Sequence, residues 1–313
     1  MPGHTDSERK FALWIDVLAG SCGGTLAKSI LSPFQRIVVL QQLGQHPGYG
    51  VWQLARWVYA HDGLRGFWRG NLTSMIIRVP YSGLQFAIYG RVKFWMQDWL
   101  DRASGERGRR VEMLERFLIK CGAGGIAAIL ASAVVYPGEV VRLRLMSGER
   151  RFSGILTTCR LIYRETNSVR NFYRGFAASS MQRVPDILVC FATYETVKYA
   201  LLDSPNPVLF NTNHATRNVL STVVGGSLAA LASIAVTFPL DVAKRRIGMS
   251  GQSNDRILYT SVGNCLRRVY AKEGIRGLYA GSLMEAVRCV PQVILMWFFI
   301  EGIQKQLSER CDR

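Results

Sequence analysis

The sequence predicts an all-α membrane protein in which three repeats of about 100 residues supply six transmembrane helices and three short surface helices. Two observations predict this class. Hydrophobic residues make up 49% of the 313 residues, and many of them lie in long stretches. Three sequence landmarks also recur in one order, three times over, and such self-similarity is the signature of a repeat architecture. Each repeat is too short and too apolar to bury its own hydrophobic face, so we expect the three to pack with threefold pseudosymmetry.

The landmarks set the boundaries of the repeats. In each repeat a proline lies near the end of the first apolar stretch, an aromatic residue precedes a glycine by two positions, and a second proline follows that aromatic residue by twelve. In chain order these residues are Pro33, Trp68 and Pro80, then Pro137, Tyr173 and Pro185, then Pro239, Tyr279 and Pro291. We therefore divide the chain into repeats at residues 1–104, 105–208 and 209–313.

Long apolar stretches predict the six membrane helices. They cover residues 11–43, 72–100, 111–146, 179–202, 215–249 and 283–307, and each exceeds the ~20 residues that a helix needs to cross a bilayer. Polar residues interrupt every stretch, which favours a bundle whose helices have one face toward lipid and one toward water. The amphipathic segments 52–59, 155–163 and 262–270 predict the surface helices, one in each repeat.

Composition excludes several classes of function. The formal net charge is +17, but the basic residues are spread through loops and between apolar stretches, which argues against a nucleic-acid-binding protein. The four histidines and seven cysteines form neither a CxxC pair nor a metal-ligand spacing such as HxxxH. We therefore expect no enzyme activity, no catalytic residues, no metal and no cofactor.

Loop charges predict the orientation in the membrane. The three connections that contain the surface helices hold 14 lysines and arginines, and the segments on the opposite side hold eight. Interior loops carry such an excess of positive charge, so we place the surface helices on the interior side and both termini on the other. Residues 1–10 contain neither a signal-peptide hydrophobic core nor an arginine-rich leader, so we expect any organelle targeting to be internal.

The helix kinks carry charges that a membrane helix cannot leave isolated. Charged side chains at membrane depth are costly unless they pair or face water. Glu139 and Arg142 follow the second kink proline, and Asp241 and Lys244 follow the third. Together with the surface helices and the aromatic-x-glycine turns, this Px[DE]xx[KR] pattern resembles the mitochondrial carrier family along essentially the whole chain. The resemblance implies a six-helix bundle around one central site that opens alternately to the two sides of the membrane.

The same resemblance implies two gates. In the matrix gate the acid of one repeat pairs with the base of the next, and its residues here are Gln35, Glu139, Arg142, Asp241 and Lys244. Glu139 is expected to pair with Lys244, and Gln35 to form a hydrogen bond with Arg142. Asp241 is expected to meet Val38 and to lack a partner. The cytoplasmic gate is also incomplete, and its residues are Lys93, Glu195, Lys198 and Glu301.

The resemblance places the substrate site on the second long helix of each repeat, just before the second proline of that repeat. These contact positions fall on Arg78, Gln182, Arg183 and Arg288, and Lys28 on the first helix adds a further cation. Arginine is always charged and its planar fork binds phosphate or carboxylate, so we expect an anionic substrate. The alternative is an arginine that pairs internally, with Asp186 or Glu285 as the partner.

The substrate class remains open between two groups. Short segments such as Trp68-Arg69-Gly70-Asn71 resemble those of carriers of coenzyme A, adenine nucleotides and thiamine pyrophosphate. An arginine at the position of Arg183 also resembles the pattern of keto-acid and amino-acid carriers. We expect alternating-access transport of a phosphorylated nucleotide or cofactor by a monomer in the lipid of the mitochondrial inner membrane. The alternatives are a carboxylate carrier, a carrier-fold uncoupler or a non-transporting scaffold, and a peroxisomal or other organelle membrane.

Overall fold

A computed structural model describes residues 23–46, 48–103, 109–203, 214–250 and 259–311. In these residues the regular structure is helical and no β-strand is formed, as the sequence predicts. The α-helices are α1 (residues 23–30), α2 (Ser32–Leu43), α3 (Val51–Asp62), α4 (Asn71–Ala103), α5 (Arg109–Met146), α6 (Ile155–Thr166), α7 (Phe176–Lys198), α8 (His214–Met249), α9 (Val262–Leu278) and α10 (Ser282–Cys311).

The long helices follow the predicted stretches closely, apart from the first. The stretch predicted at residues 11–43 is divided at Leu31 into α1 and α2, and its residues 11–22 lie outside the described part. Helix α9 continues beyond the predicted position 270 to Leu278, with a kink at Gly274 where φ is +66°. Within the described residues, Gly122–Met146 and Ser221–Met249 are long and apolar enough to cross a membrane.

Each repeat contacts the next through the glycine of its aromatic-x-glycine turn. Gly70, Gly175 and Gly281 have φ values of +81°, +85° and +86°, a left-handed conformation that favours glycine. A β-carbon at these positions would lie 3.3, 2.6 and 3.4 Å from the carbonyl oxygens of Arg142, Lys244 and Val38, respectively. The first repeat therefore contacts the second, the second the third, and the third the first, so the three repeats close into a ring.

Aromatic side chains of these turns satisfy carbonyls that the kink prolines leave free. A proline in a helix removes the N–H that would bond to the carbonyl four residues earlier. The Trp68 indole donates a hydrogen bond to the Ser29 carbonyl at 2.9 Å, and the Tyr279 hydroxyl donates one to the Ala235 carbonyl at 3.0 Å. Both carbonyls lie four residues before a kink proline, so the turn stabilises the kink in the first and third repeats.

A buried arginine ties each kinked helix to the surface helix that follows it. The ion pairs are Arg36–Asp62, Arg144–Glu165 and Arg246–Glu273. In the second and third repeats the arginine lies seven residues after the kink proline, but the first repeat has Leu40 at that position. Arg36 lies one helical turn earlier and reaches the equivalent acid, so all three repeats keep the connection.

Apolar residues complete the packing under each surface helix. In the first repeat Ile37 and Leu40 of α2 pack with Leu54 and Val58 of α3. Equivalent clusters join α5 with α6 and α8 with α9. The surface helices are thus fixed to the kinked helices, and the residues at the kinks are held at one depth in the bundle.

Candidate functional site

The predicted matrix-gate residues meet around one cavity. A space of about 130 Å³ between α2, α5 and α8 is lined by residues that include Gln35, Glu139, Arg142, Asp241, Lys244 and Arg245. The Lys244 ammonium lies 3.0 Å from the Glu139 carboxylate, and both side chains are about four-fifths buried, with 21% and 23% exposed. Opposite charges at this distance close the space between the second and third repeats.

One other expectation for this cavity differs from what the structure forms. Gln35 and Arg142 line the same cavity, but no hydrogen bond joins them in the described part of the chain. Asp241 lines the cavity beside Lys244 and Arg245, whose positive charges act on its carboxylate. Among the described side chains, no base forms an ion pair with Asp241.

The predicted substrate residues converge above the gate. Lys28 of α1 interacts electrostatically with Arg78 of α4 and Arg288 of α10. The Arg183 guanidinium of α7 lies over the Tyr81 ring at 5.7 Å from its centroid, within range of a cation–π interaction. The helices α4, α7 and α10 thus each contribute an arginine to one region, and all three residues are partly buried.

The three arginines differ in what holds them. Arg288 donates hydrogen bonds to both oxygens of Glu285 and to the amide oxygen of Gln292. No carboxylate forms an ion pair with Arg78 or Arg183 among the described side chains. The internal pairing that the sequence allowed therefore forms at Arg288 with Glu285. Asp186, the other candidate, instead accepts a hydrogen bond from Ser233.

Comparisons with known proteins agree with this arrangement. The family model described as mitochondrial carrier protein matches residues 9–99, 115–205 and 215–310. This triple match covers most of the chain. The chain belongs to the mitochondrial carrier family. The members of this family are transporters and not enzymes, as the sequence predicts.

Relatives of this carrier include proteins named for phosphorylated substrates. It is 30% identical to solute carrier family 25 member 16 of Mus musculus, over 92% of this chain and 87% of the relative. It is 29% identical to a mitochondrial coenzyme A transporter of Danio rerio, over 87% of this chain and 80% of the relative. A mitochondrial adenyl nucleotide antiporter of Oryctolagus cuniculus is 26% identical over 97% of this chain, which spans 60% of that relative.

The residues predicted for the cytoplasmic gate lie far along α4 and α7 from the turns where these helices begin. Lys93 lies on α4, and Glu195 and Lys198 lie at the end of α7. Within the described part of the chain, none of these three forms an ion pair. Glu195 is exposed, and the side chain of Glu301 lies outside the described residues. The matrix gate holds an ion pair in this conformation, whereas the described residues of the other gate do not.

Sequence reasoning missed the role of the acids that end the surface helices. Glu165 and Glu273 bind buried arginines. The signal was present, because an arginine follows Pro137 and Pro239 at the same spacing. The structure also selects Arg288 as the arginine that pairs with Glu285, a choice that the sequence left open.

Proposed function

We propose that this carrier moves a phosphorylated nucleotide or cofactor across the mitochondrial inner membrane by alternating access. Candidate substrates are coenzyme A, adenine nucleotides and thiamine pyrophosphate. The observation that carries the proposal is the convergence of one arginine from each of α4, α7 and α10, with Lys28 nearby. Phosphate oxygens accept the paired hydrogen bonds that a guanidinium offers, and a molecule with several phosphate charges can engage more than one arginine.

The names of two relatives support the same substrate class. A coenzyme A transporter and an adenyl nucleotide antiporter both match this chain over most of its length. Both names refer to molecules that carry phosphate groups. At 26–29% identity they favour the class and leave the individual substrate to experiment.

In this proposal six helices cross the membrane. The first corresponds to the predicted stretch 11–43, which includes α1 and α2. The other five are α4, α5, α7, α8 and α10. The surface helices lie on the matrix side, both termini face the intermembrane space, and the carrier works as a monomer. The bundle then presents its lipid face outward and its charged cavity toward the axis, where water solvates the unpaired cations.

The gates determine the free-energy cost of opening each side of the carrier. The Glu139–Lys244 pair closes the matrix side, and the substrate enters from the opposite side, where the described cytoplasmic-gate residues form no ion pair. Breaking the pair costs free energy that the bound substrate must offset. A ligand shifts such an equilibrium only through its different affinities for the two states. The arginines therefore bind the substrate most tightly in the occluded state, in which the cavity has contracted around it.

A carboxylate or amino-acid carrier is the second candidate. Arg288 and Glu285 place a cation and an anion side by side, which matches the carboxylate and ammonium groups of an amino acid. This candidate predicts that Glu285 binds the substrate directly. The phosphorylated-substrate proposal gives Glu285 no such role.

Thermal stabilisation of the purified carrier distinguishes the two candidates. A ligand at 100 times its Kd stabilises the folded state by about 2.7 kcal/mol, which appears as a raised melting temperature. We expect coenzyme A, ADP or thiamine pyrophosphate to stabilise, and their dephosphorylated forms, including adenosine and thiamine, to have no effect. Stabilisation by 2-oxoglutarate or an amino acid, with none by the phosphorylated compounds, would refute the proposal.

A further inference from the structure

The third repeat carries a carboxylate where the other two repeats carry serine. Four residues after the turn glycine, the first repeat has Ser74, the second Ser179 and the third Glu285. Ser74 bonds to the carbonyl of its own turn glycine. Glu285 instead contacts Arg288, an arginine of the proposed substrate site. The equivalent positions of the other repeats carry no charge, so this carboxylate breaks the pseudosymmetry of the site.

Glu285 occupies one edge of the Arg288 guanidinium. The Nε atom donates to Glu285 at 3.2 Å, one terminal nitrogen donates to the other Glu285 oxygen, and the second terminal nitrogen donates to Gln292. The Arg288 and Glu285 side chains are 10% and 17% exposed. These bonds use three of the five N–H donors, including the pair that binds an oxyanion through two parallel bonds. A substrate anion therefore cannot bind this edge of Arg288 without replacing Glu285.

We propose that Glu285 is a built-in competitor for Arg288, which a substrate must displace and which thereby selects anions of high charge. This inference rests on the proposed role of Arg288 as a substrate ligand. A phosphate group with two negative charges interacts more strongly with a guanidinium than a carboxylate with one. A carboxylate substrate would exchange one carboxylate for another of equal charge, and it would also have to overcome the local tethering of Glu285.

The displaced carboxylate has other cations within reach. Glu285 interacts electrostatically with Arg245 and Arg142, both of which line the matrix-gate cavity. The Arg245 Nη1 and Arg142 Nε atoms are buried and have no hydrogen-bond partner among the described residues. Buried donors without partners are costly, so a carboxylate that moved from Arg288 to these donors would be stabilised there. The negative charge of Asp241, which also interacts with Glu285, opposes this movement in part.

The same movement links the occupied site to the gate. Arg142 and Arg245 lie beside the Glu139–Lys244 pair in the gate cavity. A carboxylate that arrives there competes with Glu139 for nearby cations and weakens the closed gate. Glu285 is thus a positioning residue that carries substrate occupancy to the matrix side, and a specificity residue for charge.

Substitution of Glu285 tests the competitor role. Glu285→Gln keeps the size of the side chain and removes its charge, and Glu285→Ser restores the residue of the other two repeats. The probe is inorganic pyrophosphate, which has several charges and needs no recognition of a base or pantetheine group. We expect both variants to lower the concentration for half-maximal thermal stabilisation by about tenfold, because a charge-assisted hydrogen bond no longer opposes binding. We also expect 2-oxoglutarate to stabilise the variants more strongly than the wild type.

Asp186→Asn is the matched control. It removes one negative charge from α7, where Asp186 bonds Ser233 and does not touch Arg288. We expect it to change the pyrophosphate concentration by less than about twofold, since only long-range electrostatics is altered. Weaker pyrophosphate binding by Glu285→Gln would overturn the proposal and assign Glu285 to the substrate. An equal effect of Asp186→Asn, or no stabilisation of any variant by pyrophosphate, would overturn it as well. Stabilisation by pyrophosphate without any by coenzyme A, ADP or thiamine pyrophosphate would instead refute the proposed function alone.

Discussion

The ammonium group of Lys244 lies 3.0 Å from the carboxylate of Glu139, and this pair connects the second repeat to the third. The other ion pairs of the described residues stay within one repeat. Among the described residues, a single pair therefore joins two repeats by charge, and we propose that it closes the matrix gate in this conformation. Both groups are mostly buried, so removal of one partner leaves the other charge in an unfavourable environment.

Reversal of the charge at Glu139 tests the role of this ion pair. We expect Glu139→Lys to abolish most transport in proteoliposomes, because two ammonium groups then face each other at the gate. The exchanged variant Glu139→Lys with Lys244→Glu restores opposite charges and should recover a substantial part of the rate. Gln35→Ala is the control, since Gln35 lines the same cavity without an ion pair. Equal losses in Gln35→Ala and Glu139→Lys would show that the pair has no special role.

The incomplete gates predict that the carrier can run net transport as well as exchange. Gln35 and Val38 stand where a complete gate would have an acid and a base, so fewer charge pairs oppose the return of an empty carrier. Uptake of labelled substrate into empty liposomes should therefore be measurable. Gln35→Glu gives Arg142 an acidic partner and should reduce this uptake more than it reduces exchange. A strict requirement for internal substrate in the wild type would contradict the prediction.

Gly175 is expected to be essential for the contact between the second and third repeats. Its φ is +85°, and a β-carbon would lie 2.6 Å from the Lys244 carbonyl oxygen. We expect Gly175→Ala to destabilise the purified carrier by roughly 1–3 kcal/mol, since backbone strain and a steric clash both oppose it. Gly263→Ala on α9 is the control, because nothing lies within 4 Å of its added carbon. Thermal unfolding of the two variants should separate them clearly, and identical curves would argue against the contact.

Arg36 is expected to stabilise the first repeat in place of an arginine at position 40. Burial alone raises the pKa of Asp62, but hydrogen bonding and charge from Arg36, together with Arg69, outweigh it and lower that pKa below its usual value. The stabilisation is therefore complete at neutral pH and disappears as the pH falls below about 4. We expect Arg36→Met to cost about 3 kcal/mol at neutral pH and less in acid.

Arg65→Met provides the comparison for this variant. Arg65 is exposed on the turn after α3, and its loss should change stability by less than about 0.5 kcal/mol. Chemical denaturation at neutral and acidic pH measures both effects. A cost of Arg36→Met that does not depend on pH would mean that packing, rather than the ion pair with Asp62, explains the loss.

The sequence predicted those features of the fold that repeat. The resemblance to the carrier family, together with the equal spacing after Pro137 and Pro239, was sufficient to place Glu139 opposite Lys244, as the structure confirms. It was not sufficient for Arg36, which replaces a missing arginine from one turn away. Glu285 and Arg288 lie three residues apart on one helix, a spacing at which side chains meet, so the sequence could offer Glu285 as a partner. The choice between Glu285 and Asp186 depends on side-chain conformations in the bundle and required the structure.

The cavity arginines are expected to bind a phosphorylated anion during transport. Uptake of labelled ADP, coenzyme A and thiamine pyrophosphate into proteoliposomes tests this most directly, with wild type, Arg183→Ala, and Arg164→Ala of the exposed face of α6 as the control. We predict uptake of at least one compound by the wild type and the control, and a loss of tenfold or more in Arg183→Ala, about the value of one charge-assisted hydrogen bond. Undiminished uptake by Arg183→Ala, or uptake of none of the three compounds by the wild type, would contradict this role of the arginines.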